Sequence, residues 1–250
     1  MTNIKILKTD CMKGLAKLED NSVDLIFADP PFNQGLDYNM YSDKLKFEHY
    51  LWWCKGWIRE CFRVLKNTGS FYMMNSEPNI GYMQELMGEY GVFQNLIIWE
   101  RPIPPNRYSL NRVHQDILFF TKTKSFYFNK ECQFTPAPTG KHWVVTKKGT
   151  GKRLNDIWHD IKFVHAGAAI SKEAVIARGT RRKVHPCQMP EKLISRILEM
   201  STRPGELVLD VFAGSGTVAV ACRREGRKYI GFEIDKKYIE LTKRRLKDVR

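Results

Sequence analysis

Two short runs of this 250-residue chain hold residue types from which a reaction site could be assembled. The first is Asp29-Pro30-Pro31-Phe32, which follows the apolar run Val23-Asp-Leu-Ile-Phe-Ala28. That run has the composition of a buried strand, and prolines cannot donate to a ladder, so the strand must stop there. A carboxylate, a fixed carbonyl and an aromatic ring would then sit on stiff backbone at the carboxyl edge of a sheet, where α/β proteins bind ligands. The second run is Asp210-Val-Phe212-Ala-Gly214-Ser215-Gly216-Thr217, preceded by Leu207-Val-Leu. A strand running into a Gly-rich turn lets a ligand approach the backbone, and the next helix begins with free N–H groups. Glu233 ends the following strand, where its carboxylate can accept hydrogen bonds from both hydroxyls of a ribose. The glycine spacing differs from G-x-G-x-x-G, which favours a nucleoside cofactor without a pyrophosphate.

The elements that must position these residues follow from periodicity. Ile4 and Ile6 alternate as in a short strand, and Asp10 can cap a helix carrying Met12, Leu15 and Leu18. Phe47, Leu51, Cys54, Ile58, Phe62 and Leu65 recur at helical spacing, with Asn67-Thr-Gly69 as the stop. Strands are expected at 70–74, 93–100 and 117–121, with a helix over 80–90. From about 122 to 184 the periodicity fades and Pro and Gly punctuate the chain. It then recovers: a helix around Leu193–Leu198, a strand at 207–212, a helix through Cys222, a strand at 229–234 and a helix over 236–247. Strands alternating with helices predict an α/β fold with a doubly wound, mostly parallel sheet. The expected organisation is a first half over 1–121, a loop-rich insertion over 122–184, and a second half over 185–250 that shares one domain with the first.

Charge singles out the insertion. The chain carries a net +14, a balance that suits a polyanionic partner. Between Thr121 and His185 fourteen Lys and Arg face four Asp and Glu, so ten of those net charges are concentrated in about a quarter of the chain. Lys147, Lys148, Arg181, Arg182 and Lys183 lie there, with Phe126, Tyr127, Phe128 and Trp143 between them, a mixture suited to phosphate and base contacts. The loop from Arg101 to Arg112, with Arg107 and Arg112, offers further cations near the first half. The six cysteines form no CxxC pair and no set at zinc-ligand spacing, so no metal is expected and the thiols read as small buried hydrophobes in a reducing compartment. No stretch reaches the roughly 20 apolar residues that span a bilayer.

Taken together, the motifs resemble those of the S-adenosylmethionine-dependent amino-methyltransferases that act on DNA. Asp29-Pro30-Pro31-Phe32 looks like that family's catalytic tetrapeptide and Asp210–Thr217 like its cofactor loop. Phe119-Phe-Thr-Lys122, Asn155-Asp-Ile-Trp158 and His185-Pro-Cys-Gln-Met-Pro190 are also similar to family segments. Having the tetrapeptide first, an insertion next and the cofactor loop last resembles the permuted β group. One departure is Met189, where the family's His-Pro-x-x-Lys-Pro pattern has Lys; a contact near the methionine moiety is put in question there. The resemblance implies a Rossmann-like methyltransferase sheet, with 122–184 as a target-recognition insertion. It implies a cofactor site of Asp10, Asp29, His185, Asp210, Phe212, Gly214, Ser215, Gly216, Thr217 and Glu233.

Asp-first tetrapeptides in this family mostly belong to adenine-N6 enzymes and Ser-first ones to cytosine-N4 enzymes. An adenine amino nitrogen is a poor nucleophile because its lone pair is delocalised into the ring. Hydrogen bonds accepted by Asp29 and by the Pro30 carbonyl would free that lone pair for in-line attack, with Phe32 stacking on a base flipped out of the duplex. The expectation is a site-specific adenine-N6 methyltransferase acting on double-stranded DNA, with S-adenosylhomocysteine as product. It would work in the cytoplasm of a bacterial, archaeal or phage-infected cell, as a homodimer in some members and beside a cognate restriction endonuclease in others. A cytosine-N4 enzyme, an RNA adenine methyltransferase and a catalytically silent nucleic-acid-binding module are the alternatives.

Overall fold

Strand β2 (Val23–Ala28) lies at the centre of the molecule because its side chains are buried on both faces, as the near-continuous apolar run requires. The structure, a computed structural model, describes residues 3–38, 41–101, 110–132, 134–135, 143–146, 149–164, 173–175 and 188–249. In chain order β1 (Ile4–Lys8) and α1 (Cys11–Leu15) precede β2, and the small hairpin β3 (Asp37–Tyr38) and β4 (Tyr41–Ser42) follows it. Then come α2 (Phe47–Val64), β5 (Leu65–Asn75), α3 (Glu77–Gly88), β6 (Val92–Glu100) and β7 (His114–Thr121). Strands β8 (Phe134–Thr135), β9 (Trp143–Thr146) and β10 (Gly149–Arg153) make a separate antiparallel sheet, and β11 (Ile157–Trp158) returns to the main one. The chain closes with α4 (Glu191–Ser201), β12 (Leu207–Asp210), α5 (Thr217–Arg224), β13 (Lys228–Glu233) and α6 (Lys236–Lys247).

The main sheet has eight strands in the order β1-β13-β12-β2-β5-β7-β6-β11, and β7 alone runs against the rest. It is thus mostly parallel, as alternation of strand and helix predicted. Helices α1 to α3 cover one face through Tyr50, Trp57, Ile58 and Met83, while α4 and α5 cover the other through Ile194, Ile197 and Val218. Within α2, Tyr50, Cys54, Trp57, Ile58 and Cys61 fall on one stripe and are fully buried. The one acid inside β2 is matched on both oxygens: Asp24 Oδ1 meets Lys66 Nζ at 2.6 Å and Oδ2 accepts from the Leu207 backbone N–H at 2.9 Å.

Chain direction divides at β12 and β2. From β12 the chain passes through α5 to β13 on one side, and from β2 through α2 to β5 on the other. Neighbouring strands that depart to opposite sides open a crevice at their carboxyl ends. Both chemistry-bearing runs emerge at that crevice.

Two local expectations are corrected. Asn67-Thr-Gly69 does not stop α2: the helix ends at Val64, Leu65 is already extended and pairs with Val23, and β5 contains the tripeptide. Gly69 serves a close approach instead, since a Cβ there would stand 2.9 Å from the Asp24 carbonyl beside the register shift in β2. Phe126 and Phe128, expected among the base contacts, are half-buried and pack on Phe119, with ring centroids 6.0 and 6.3 Å away. Trp158, Ile161 and Val164 are likewise core residues.

Candidate active site

The crevice is a cleft of about 1320 Å³ including its open mouth, lined from both halves of the chain. Its catalytic wall is the tetrapeptide. Strand alternation places Asp29 on the same face as Leu25 and Phe27, and Met74, Gln115, Trp99 and Arg101 come to the cleft from the neighbouring strands. Asp29 is half-buried, and burial pushes its carboxyl up to about 7 against the opposing pull of Arg101. Arg101 itself lies over the Phe163 ring at 4.8 Å and near the Trp99 ring at 6.0 Å.

The tetrapeptide is clamped from behind. The Tyr50 hydroxyl donates to the Pro31 carbonyl at 3.0 Å and Asn79 Nδ2 to the Phe32 carbonyl at 2.7 Å. Beyond it the chain turns at Asn33, whose φ of 58° is left-handed. Buried Asp43 stabilises that turn by accepting the backbone N–H groups of Asn33, Gln34 and Leu36 at 2.7, 3.0 and 3.1 Å.

The opposite wall is built from β12, β13 and the start of α1. Gly214 and Gly216 take positive φ of 48° and 78°, so the loop folds back under α5. Glu233 bridges it to the next strand: Oε2 accepts from Gly214 N–H and Oε1 from Asp235 N–H, both at 2.8 Å. Burial raises the Glu233 carboxyl above the usual range, with these N–H groups acting the other way. Phe212, Ser215 and Thr217 also line the cleft, and Trp53 joins them, its ring 5.8 Å from that of Phe212. Arg245 fastens the loop from outside by donating to the Ser215 carbonyl at 2.6 Å.

Three of the expected cofactor residues occupy more structural positions than their motif suggests. Asp10 lines the cleft, but its Oδ1 caps α1 through Met12 N–H at 2.9 Å. Asp210 lies beneath the loop, buried, with Oδ1 accepting from Phe212 N–H at 3.2 Å and Oδ2 from the Tyr229 hydroxyl at 3.1 Å. Burial pushes its carboxyl up to about 7, those bonds opposing. Gly216 packs against α6, where a Cβ would come within 2.1 Å of Thr242. The last two shape the loop; Asp10 both caps a helix and faces the cleft. His185, Arg107, Lys147, Lys148, Arg181, Arg182 and Lys183 lie outside the described residues. Arg112 is exposed and stands 3.7 Å from Glu77 across an ion pair.

Periodicity and motif missed Trp53, Met74, Trp99, Gln115 and Phe163, which the fold brings to the cleft, while Arg101, read as the start of a cationic loop, lines it too. Period-two alternation sets Arg101, one step past β6, on the face of Ile97 and Trp99, and Gln115, inside β7, on that of Ile117 and Phe119, but only strand order brings that face beside Asp29. Trp52, Trp53 and Trp57 divide three ways: Trp57 is fully buried, Trp53 half-buried at the cleft and Trp52 80% exposed. Among the described residues, no group of three His, Cys, Asp or Glu could hold a metal ion, and no helix is long and apolar enough to cross a membrane.

The chain can be set beside known proteins. The profile of the DNA methylase family matches residues 23–244. The type II methyltransferase M.HpaI of Haemophilus parainfluenzae is 35% identical over 249 residues, covering 97% of this chain and 74% of its own length. The DNA adenine methyltransferase YhdJ of Escherichia coli K12 is 31% identical over 252 residues, covering 96% of this chain and 82% of its own. The structure of the M1.HpyAVI–SAM complex superposes with a TM-score of 0.60 at 22% identity, over 97% of this chain and 99% of that one, a likeness of fold.

Proposed function

The chain belongs to the DNA methylase family, and from that premise we propose that it transfers a methyl group from S-adenosylmethionine to the N6 amino group of adenine in double-stranded DNA. The observation that carries the proposal is the juxtaposition of Asp29 and the Gly214 loop across one cleft.

The loop side fits such a cofactor. Asp10, Glu233 and Asp235 line it, and among the described residues Arg101, on the other side, is the single Lys or Arg of the cleft. Carboxylates without a phosphate cradle suit a cationic nucleoside with free ribose hydroxyls. The cleft is lined on one side by the Gly214 loop and on the other by the tetrapeptide, so a nucleoside and a flipped base would meet within it. When bound, S-adenosylmethionine supplies an electrophilic methyl on a sulfonium. Glu233 and Asp10 hold the nucleoside end, Phe212 and Trp53 flank it, and the Gly214–Thr217 backbone admits it closely.

On the other side the Asp29 carboxylate and Pro30 carbonyl accept the two amino hydrogens, Phe32 stacks on the base, and Pro31 keeps the backbone from yielding. With the cofactor bound, its methyl would pass to the N6 lone pair that these contacts leave free, and Asp29 would take up the proton that N6 gives up. A carboxyl poised near 7 is matched to that exchange. The Asp-first tetrapeptide and the kinship with YhdJ favour adenine over cytosine.

The proposal extends to the rest of the chain. Residues 1–121 and 185–250 act as one catalytic domain of the permuted type, with His185 beside the methionine moiety. The insertion over 122–184 reads the target, with Lys147, Lys148, Arg181, Arg182 and Lys183 on DNA phosphates and Arg107 and Arg112 at the base entrance. A homodimer and a cognate restriction endonuclease complete it. The decisive measurement is nucleoside mass spectrometry on DNA from a methylation-free host expressing the chain. N6-methyladenine is expected; N4-methylcytosine would move the activity to the other base, and unmodified DNA would refute it.

A further inference from the structure

The two prolines leave the tetrapeptide with no N–H donor at positions 30 and 31, so its backbone there can be fixed only by donors aimed at its carbonyls. The fold supplies two such donors from elements distant in sequence. Tyr50, from α2, donates to the Pro31 carbonyl, and Asn79, from α3, donates to the Phe32 carbonyl. Neither bond engages the carbonyl of Pro30, the next one back along the chain.

These donors are themselves held. Asn75 Nδ2 donates to the Tyr50 hydroxyl at 3.1 Å, and Asn75 Oδ1 accepts from Asn79 Nδ2 at 3.3 Å and from the Ser76 backbone N–H at 2.8 Å. Gln115 Nε2 donates to the Asn75 carbonyl. Tyr50 and Asn75 are fully buried, and Asn79 and Gln115 are 7% and 8% exposed. Buried polar groups with nothing to position carry a desolvation penalty that an apolar core would avoid. Helix capping does not account for these, because the cap of α3 makes no side-chain bond and Tyr50 lies inside α2. Their common endpoint is the two consecutive carbonyls that end the tetrapeptide.

We propose that Tyr50 and Asn79 are positioning residues: by fixing the Pro31 and Phe32 carbonyls they aim the Pro30 carbonyl and the Asp29 carboxylate at the two hydrogens of the target amino group. The proposal rests on the function given above. Both residues act through the tetrapeptide and touch neither substrate. Gln115, which also lines the cleft, extends the chain of bonds from Asn75 back to the cleft wall.

Misplacing a reacting group by about 1 Å can lower a rate by about 10²-fold. Tyr50→Phe removes one hydroxyl and keeps the ring against Trp53, so the core should survive. Single-turnover methylation by Tyr50→Phe and by Asn79→Ala should fall between about 10- and 100-fold. The affinity for S-adenosylmethionine by calorimetry, the DNA KM and the thermal midpoint of Tyr50→Phe should stay within about twofold or a few degrees of wild type. The double variant should lose little more than the worse single one, since both serve one turn. A rate within twofold of wild type in Tyr50→Phe, or a loss that tracks cofactor affinity or folded fraction, overturns the positioning role. Wild-type chain that leaves adenine unmethylated would overturn the function itself and this role with it, whereas methylating wild type with unimpaired variants overturns the positioning role alone.

Discussion

Replacing Asp29 by Asn should make the protein more stable and nearly inactive, and the gain in stability should depend on pH in a calculable way. The folded chain holds the Asp29 proton to about 7, against an ordinary value of 3.8. The unfolded chain releases it first. Wild-type stability is therefore unaffected by this carboxyl below the unfolded value and declines as pH rises from there through the folded one. A tenfold difference in proton affinity between the two states corresponds to about 1.4 kcal/mol, which gives Asp29→Asn an advantage of about 1.5 kcal/mol at pH 5 and about 4 kcal/mol at pH 8. These are ceilings, because the open side of the cleft lets water reach the carboxylate. Urea unfolding of both proteins without cofactor, at the two pH values, measures the difference. Methyl transfer should meanwhile drop by about 10²–10³, the usual loss when one preorganised electrostatic interaction is removed. An advantage that is the same at pH 5 and pH 8 would refute the buried, high-pKa carboxyl. Activity within a few-fold of wild type would refute its role in transfer.

Other consequences are simpler to state. Glu233→Ala should weaken S-adenosylmethionine binding by calorimetry by about tenfold or more, since a hydrogen bond to a charged group is worth about 1.5–3 kcal/mol; unchanged affinity would place the nucleoside elsewhere. Neutralising Arg181, Arg182 and Lys183 together should flatten the salt dependence of DNA binding by about 0.9 in log–log slope for each phosphate that is no longer neutralised. Coincident slopes in fluorescence anisotropy would mean those charges are only a solvated surface.

Much of the fold was legible because its strands are apolar on both faces. Val23–Ala28, Leu207–Asp210 and Tyr229–Glu233 announce themselves as a buried parallel core, and Asp10 marks a helix start that the structure caps through its side chain. The tetrapeptide and the glycine loop were legible because prolines and positive-φ glycines restrict what backbone can do. Asp210 shows the limit: its position in the motif suggested a ligand contact, but only the structure shows its two oxygens committed to Phe212 and Tyr229. Arg101, Gln115 and Phe163 were illegible for a different reason. Each reaches the cleft through the order of strands in the sheet, and strand order is a long-range property that no local pattern encodes. The same holds for Tyr50 and Asn79, whose spacing reads as ordinary helix.

The pairing of β2 with β12 also has a consequence for synthesis. Leu25 and Ile26 are sealed on one flank by β5, made soon after, but on the other by Val208 and Leu209, and the bond from Leu207 to Asp24 spans 183 positions. A ribosome adding about 5–20 residues per second needs roughly 10–40 s to make that missing partner. Through that interval the nascent chain presents an unpaired, mostly apolar strand edge, the kind of surface on which chains associate with one another. No partly made chain can hold the cofactor, since the Gly214 loop arrives with the same late strand. Slow translation should thus favour aggregation over premature modification, and chaperones that shield strand edges should raise the yield of active protein.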